Sequence, residues 1–138
     1  MKPIAYVDGS SMGNPGESGY GIILKDEKGK TIETIGKYIG IATNNIAEYS
    51  GLLNCLRLAR KYQVASIKVF SDSLLMVNQL NGYYKVKNEG LKTIFTEIQN
   101  FLKKENIQLE IVHIPRDQNS DADKLARRAV RLQKDVCE

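Results

Sequence analysis

Four carboxylates are spaced along the chain where a metal ion could use them. Asp8 closes the apolar run of "PIAYVDG", Glu48 lies early in "TNNIAEYSGLL", Asp72 follows "VFS", and Asp123 falls within "NSDADKLA". Each has an ordinary structural reading as well. Asp-Gly after hydrophobic residues suits a hairpin turn. An acid early in a helix is favoured by the helix dipole, which covers Glu48, Asp121 and Asp123 alike. Asp72 stands where a strand turns into a helix, a capping position. The chemistry changes if the acids meet. Packed carboxylates repel unless cations neutralise them, and hard divalent ions, Mg²⁺ among them, take carboxylate and water oxygens. Two such ions about 4 Å apart recur in in-line displacement at phosphorus.

Whether they meet depends on the elements that carry them. "PIAYVDG" reads as a strand, and "GYGIILKDEKGKTIETIGKYIG" as two more around the polar turn at residues 26–29, a three-strand antiparallel start. Ile46, Tyr49, Leu53, Leu56 and Ala59 recur at three- and four-residue spacing, which predicts a long amphipathic helix over 43–62 with Thr43 as its N-cap. "SIKVF" is a short buried strand, and "DSLLMVNQL" a short helix ending near Asn81-Gly82. The loop "NGYYKVKN" follows. Leu91, Ile94, Ile98 and Phe101/Leu102 mark a third helix, "IQLEIVHI" a fifth strand, and residues 119–133 a basic closing helix. This order predicts a single α/β domain over residues 1–138: a five-stranded mixed sheet, three antiparallel strands and then two parallel additions, with helices on both faces. In such sheets, residues at the carboxyl ends of strands and at adjacent helix starts gather along one edge. Asp8, Asp72 and Asp123 would then converge, with Glu48 one turn into the helix beside them, and the cluster reads as a nuclease centre.

Composition sets looser bounds. With 138 residues, 42% of them hydrophobic, the chain can build one real core. A formal charge of +4 and a pI near 9.0 permit a polyanionic partner without demanding one. No signal-peptide pattern or membrane-length apolar run is present, so a cytoplasmic protein without a membrane partner is expected. Cys55 and Cys137 share no metal-type spacing with each other or with His113, and both are expected to be free thiols.

In order and spacing, "YVDGSSMGNPG", "TNNIAEYSGLL", "VFSDS" and "NSDADKLA" resemble the four signature segments of type 1 ribonuclease H, over about Tyr6 to Arg128. The resemblance implies a ribonuclease H-like fold. It implies an endonuclease that cuts the RNA strand of RNA/DNA hybrids by two-metal-ion catalysis, leaving 5′-phosphate and 3′-hydroxyl ends. Asp8, Glu48, Asp72 and Asp123 become the catalytic and metal-binding set, with two Mg²⁺ as cofactors and Mn²⁺ able to substitute. Asp8 would bridge both ions, Glu48 and Asp72 would complete one site, and Asp123 the other. The family pattern Ala-Asp-x-Leu-Ala falls on Asp123 rather than Asp121.

The same resemblance makes Ser11, Gly13, Asn14, Asn44 and Asn45 readers of the RNA strand, assisted by Asn78, and makes Thr43 and Asn88 the grip on a DNA-strand phosphate. The residue types suit these tasks, because glycine admits close backbone approach and Asn both donates and accepts; a turn and a helix cap are the plain alternatives. Lys85 and Lys87 interleave with Tyr83 and Tyr84 as in a nucleic-acid-facing loop, or a solvated one. Lys124, Arg127, Arg128 and Arg131 read as an exposed helix face.

Two departures stand out. Some members carry an extra basic handle between the second and third helices, where this chain has only "NGYYKVKN". Some also carry a His in the loop before the last acid. Here "IPRDQNSDAD" has none, His113 falls inside the strand pattern with a core or sheet-face role, and Arg116 is the nearest substitute. A compact, monomeric, handle-free enzyme without an organic cofactor is expected. The competing readings are a catalytically weak nucleic-acid-binding relative and a DNA-directed nuclease of the same superfold.

Overall fold

A computed structural model describes residues 1 to 137. The elements are β1 (Ile4–Gly13), β2 (Gly16–Lys25), β3 (Thr31–Ala42), α1 (Asn44–Arg60), β4 (Ser66–Ser71), α2 (Leu74–Leu80), α3 (Glu89–Glu105), β5 (Gln108–His113), α4 (Ser120–Leu132) and β6 (Val136–Cys137). A single 3₁₀ turn, Arg116–Gln118, precedes α4.

The sheet is mixed, in the order β5-β4-β1-β2-β3-β6, with β1, β2 and β3 antiparallel and β4 and β5 added parallel. It has six strands rather than the five expected. The sixth is a two-residue strand, too short for any period-two pattern. It forms because α4 ends in a left-handed residue, Gln133 at φ 51°, and the chain folds back to pair Val136 with Gly36 and Cys137 with Ile35.

Asp8-Gly9 is not a hairpin turn. β1 runs on for five residues past Asp8, paired with β2 from Ile4↔Lys25 to Gly13↔Gly16, and the reversal comes at Asn14 and Pro15. The continuous ladder with β2 outweighs the local turn preference of Asp-Gly.

Alternation along β1 and β2 feeds two cores. Ala5, Val7, Ile22 and Leu24 pack with Leu52, Cys55 and Leu56 of α1, whereas Tyr6 and Ile23 lie with Ala122, Leu125 and Ala129 of α4. Helices therefore cover both faces. The stretch expected as an amphipathic helix over 43–62 is helical from Asn44 to Arg60, capped by Thr43 Oγ1, which accepts from Ile46 N at 3.2 Å. It is buried on more than one stripe, from Ala47 to Ala59, because it lies between the sheet and α3. Cys55 is buried and Cys137 exposed, both free. Among the described residues, no helix is long and apolar enough to cross a membrane.

Candidate active site

β1 and β4 pair in parallel through Val7↔Ser71, so Asp8 and Asp72 are the next residues on neighbouring strands. Two glycines bring the helices to them. At Gly9, a Cβ would lie 2.5 Å from Glu48 N, so only a bare backbone lets β1 pass the first turn of α1 and set Glu48 beside Asp8. Gly21 is the cross-strand partner of Asp8, and a Cβ there would lie 2.1 Å from Ala122 O. This gap seats the first turn of α4, with Asp123, next to Asp8. Asn119 ties the same junction down: it is buried, and its Nδ2 donates to Val7 O at 2.8 Å. Gly21→Ala is expected to lower stability by about 1–3 kcal/mol, since a helix backbone cannot swing aside as a side chain can. Thermal unfolding checks this, and an unchanged Tm would mean that α4 is free to shift.

Asp8, Glu48 and Asp72 each offer a carboxylate oxygen within 4.8 Å of the others, and Asp123 joins them by a hydrogen bond shared with Asp8. Burial drives the electrostatics. It pushes the Asp8 carboxyl up to about 10, helped by the charges of Glu48 and Asp72 and by hydrogen bonds to Asp123 and Asp72. Glu48 is pushed up to about 8, first by burial and then by Asp72, against the Gly9 backbone hydrogen bond and the Arg116 charge. Glu48 Oε2 is buried with no hydrogen-bond partner. A buried acid oxygen without a donor is costly, and a divalent cation satisfies it while removing the repulsion. The all-oxygen donor set suits a hard cation.

Two cations already touch the cluster. Arg127 Nε lies 3.1 Å from Asp123 Oδ2 and 3.1 Å from Oδ1, one helical turn away. Arg116, the substitute considered for the loop His, is exposed and stands 3.8 Å from Asp72 Oδ2, a contact of little energetic weight at that exposure. Asp121 does not join the cluster; it is exposed and lines a groove on the far flank of α4. His113 ends β5 in register with Ser71 and is exposed, so it has no core role.

The residues expected to contact substrate lie on the β1–β2 hairpin, around the start of α1, in α2, in the loop after it and at the cap of α3. Ser11 Oγ is within hydrogen-bonding reach of Gly13 O and of Ala42 O, the latter at 3.2 Å, and accepts from Ser18 Oγ. Asn14 Oδ1 accepts from Asn44 N at 3.1 Å, which joins the β1–β2 turn to the start of α1 and leaves Asn44 and Asn45 exposed. Asn88 caps α3, accepting from Leu91 N at 3.1 Å, and the start of α3 lies against Ile46, near the Thr43 cap. Asn78 is half-buried, its carbonyl accepting from Tyr83 N and Tyr84 N. Lys85 and Lys87 sit in the exposed loop between α2 and α3. No helix fills that interval.

Sequence reasoning missed three residues. Gln79 is buried, accepts from Tyr49 OH and donates to Lys85 O at 3.3 Å, holding α1, α2 and the basic loop together. Asn119 gives no local signal, because its partner is 112 residues away. Arg127 was readable in principle from its four-residue spacing to Asp123.

The reverse transcriptase-like family profile matches residues 6–129. The bifunctional protein Rv2228c of Mycobacterium tuberculosis is 37% identical over 131 residues, covering 94% of this chain and 36% of that protein. Ribonuclease HI of Halobacterium salinarum is 35% identical over 126 residues, covering 91% of this chain and 63% of its own length. This chain thus spans about a third of the first relative and under two thirds of the second. A crystal structure of LC11-RNase H1 in complex with an RNA/DNA hybrid superposes with a TM-score of 0.92 at 38% identity, covering 96% of this chain and 99% of that one. A match running from the strand of Asp8 past the helix of Asp123, on a shared fold, shows that the chain belongs to the ribonuclease H, reverse transcriptase-like family.

Proposed function

We propose that this chain is a metal-dependent endoribonuclease that hydrolyses the RNA strand of RNA/DNA hybrids, with Asp8, Glu48, Asp72 and Asp123 holding two Mg²⁺, or Mn²⁺ in their place. The observation that carries the reading is the convergence of these four acids, with the unpartnered Glu48 Oε2 among them. The hybrid bound to the LC11 relative supports the choice of substrate. Bound divalent ions supply the positive charge that in-line phosphodiester hydrolysis requires. The chain's own residues fix where that charge goes. Asp8 and Asp72 present oxygens from adjacent strands, Glu48 from α1, and Asp123 from α4, where Arg127 orients it.

Ser11, Gly13 and Asn14 on the hairpin and Asn44 and Asn45 on α1 form one edge beside the carboxylates, tied by the Asn14–Asn44 hydrogen bond. Such an edge can sense 2′-hydroxyls across a shallow minor groove. We assign Asn78 a supporting part, Thr43 and Asn88 the DNA-strand phosphate, and Lys85, Lys87 and Arg116 auxiliary contacts. All these groups lie on one chain, so a monomer of one domain suffices, and two free thiols suit a reducing, cytoplasmic compartment. Labelled hybrid, RNA duplex and DNA duplex of matched sequence, each with Mg²⁺ and with Mn²⁺, test the proposal. Cleavage confined to the RNA strand of the hybrid is expected, with 5′-phosphate and 3′-hydroxyl products. Cutting of the DNA duplex would point to a DNA-directed nuclease, and binding without cutting to a weak relative.

Thr43, not either Asn, caps α1. Asn44→Ala and Asn45→Ala are therefore expected to weaken hybrid binding roughly three- to tenfold each, as for a lost hydrogen bond, at unchanged Tm. Normal binding with a stability loss typical of a missing cap, about 1 kcal/mol, would reassign them to structure.

A further inference from the structure

A second concave surface opens beside the catalytic carboxylates, on the opposite flank of α4. The groove encloses about 520 Å³ between α4 and the β2–β3 ladder. Its charged lining is Lys25, Lys124, Arg127, Arg128 and Arg131 against one acid, Asp121. Arg127 is shared with Asp123; even so, the groove holds most of the excess positive charge of a chain whose net charge is +4. On α4, Lys124, Arg127, Arg128 and Arg131 recur at three- and four-residue spacing, so they crowd one side of the helix. Like charges at such spacing repel, at a cost of about 0.2–0.5 kcal/mol per pair. A polyanion lying along them reverses the sign of that cost.

We propose that this groove binds a second stretch of phosphodiester backbone, the single strand that runs out of the catalytic centre. The proposal rests on the hybrid-cleaving reading and extends it. Continuity with the centre comes from Arg127, which lines the groove and touches Asp123 at 3.1 Å. Length agrees as well. From Asp121 to Arg131 the helix rises about 15 Å, the axial length of roughly four nucleotides of one strand. With five basic side chains against one acid, it is an electrostatic track for backbone phosphates, so it adds affinity without sequence preference.

The test uses the Asp8→Asn chain, in which cleavage is expected to be too slow to consume the ligand, and measures affinity across a salt series. The ligands are a short blunt RNA/DNA hybrid and the same hybrid with a single-stranded RNA extension at one end or the other. One extension is expected to tighten binding and steepen the dependence of log affinity on log salt. The added changes Lys25→Ala, Lys124→Ala and Arg131→Ala should flatten that slope by about two units on the extended hybrid and leave the blunt one unaltered. These three residues are exposed or line the groove rim, and Tm serves as the control for folding. Equal slopes with and without the triple change on the extended hybrid would overturn the groove. So would loss of the extension's benefit on changing Lys85 and Lys87 to Ala instead, which would place the track on that loop. If the Asp8→Asn chain binds no hybrid, blunt or extended, the hybrid reading itself fails, a result separate from either of these.

Discussion

Replacing Asp8 with Asn is expected to cut hybrid cleavage at least ~10³-fold, because the several kcal/mol of charge stabilisation that two ions supply depends on the one carboxylate placed between the others. The fold should survive the change. Asn keeps the shape of Asp8, the ladder partner Gly21 is untouched, and the substitution relieves a buried repulsion rather than creating one. Single-turnover cleavage in saturating Mg²⁺, alongside circular dichroism, checks both halves. Near-normal turnover would remove Asp8 from the centre. A collapsed fold would show that Asp8 is structural in a way its crowded surroundings argue against.

The second large effect is on stability against pH in metal-free protein. Asp8 and Glu48 ionise with ordinary values near 3.8 and 4.5 when exposed, but the fold raises them to about 10 and about 8. Below pH 4 both states hold these protons, and the groups contribute nothing. As pH rises the unfolded chain loses the protons first, so stability falls from about pH 4, through about pH 8 for Glu48 and about pH 10 for Asp8. The drop is expected to be at least ~2 kcal/mol, or at least ~5 °C in Tm. Asp8→Asn should remove much of it. The difference in Tm between parent and variant isolates the centre from groups of opposite sign, such as Glu33, whose carboxyl the Tyr62 hydroxyl holds below its usual range. Millimolar Mg²⁺ should raise the parent Tm at pH 8 and leave it unmoved at pH 4.5, because the ion binds ionised carboxylates of the folded chain. A parent Tm that follows the same pH profile as the variant's would mean that the acids are solvated and not packed.

Some of this protein was legible from local pattern alone. Period-two and three-to-four-residue spacings act within a few residues, and they located five of the strands, all four helices and the Thr43 cap. The four acids were visible as candidates for the same reason, each read from pattern as lying at a strand end or near a helix start. Nothing local could seat them together. Asp121 and Asp123 occupy the same first turn of α4, and helix periodicity does not choose between them; the bare backbone of Gly21, about a hundred residues earlier, turns Asp123 toward Asp8 and leaves Asp121 on the groove. The sixth strand escaped because two residues carry no period, and a turn stayed open as the plain alternative at Asp8-Gly9 because its pairing with β2 is not a neighbour effect. Burial of α1 on several sides came from α3 closing over it. The basic flank of α4 was visible as charge, but it became a groove only when β2 and β3 walled it. Identity and spacing of chemical groups are properties of the chain, whereas convergence, desolvation and concavity arise from contacts between residues far apart in it, such as Asn119 on Val7, and only the folded structure contains those.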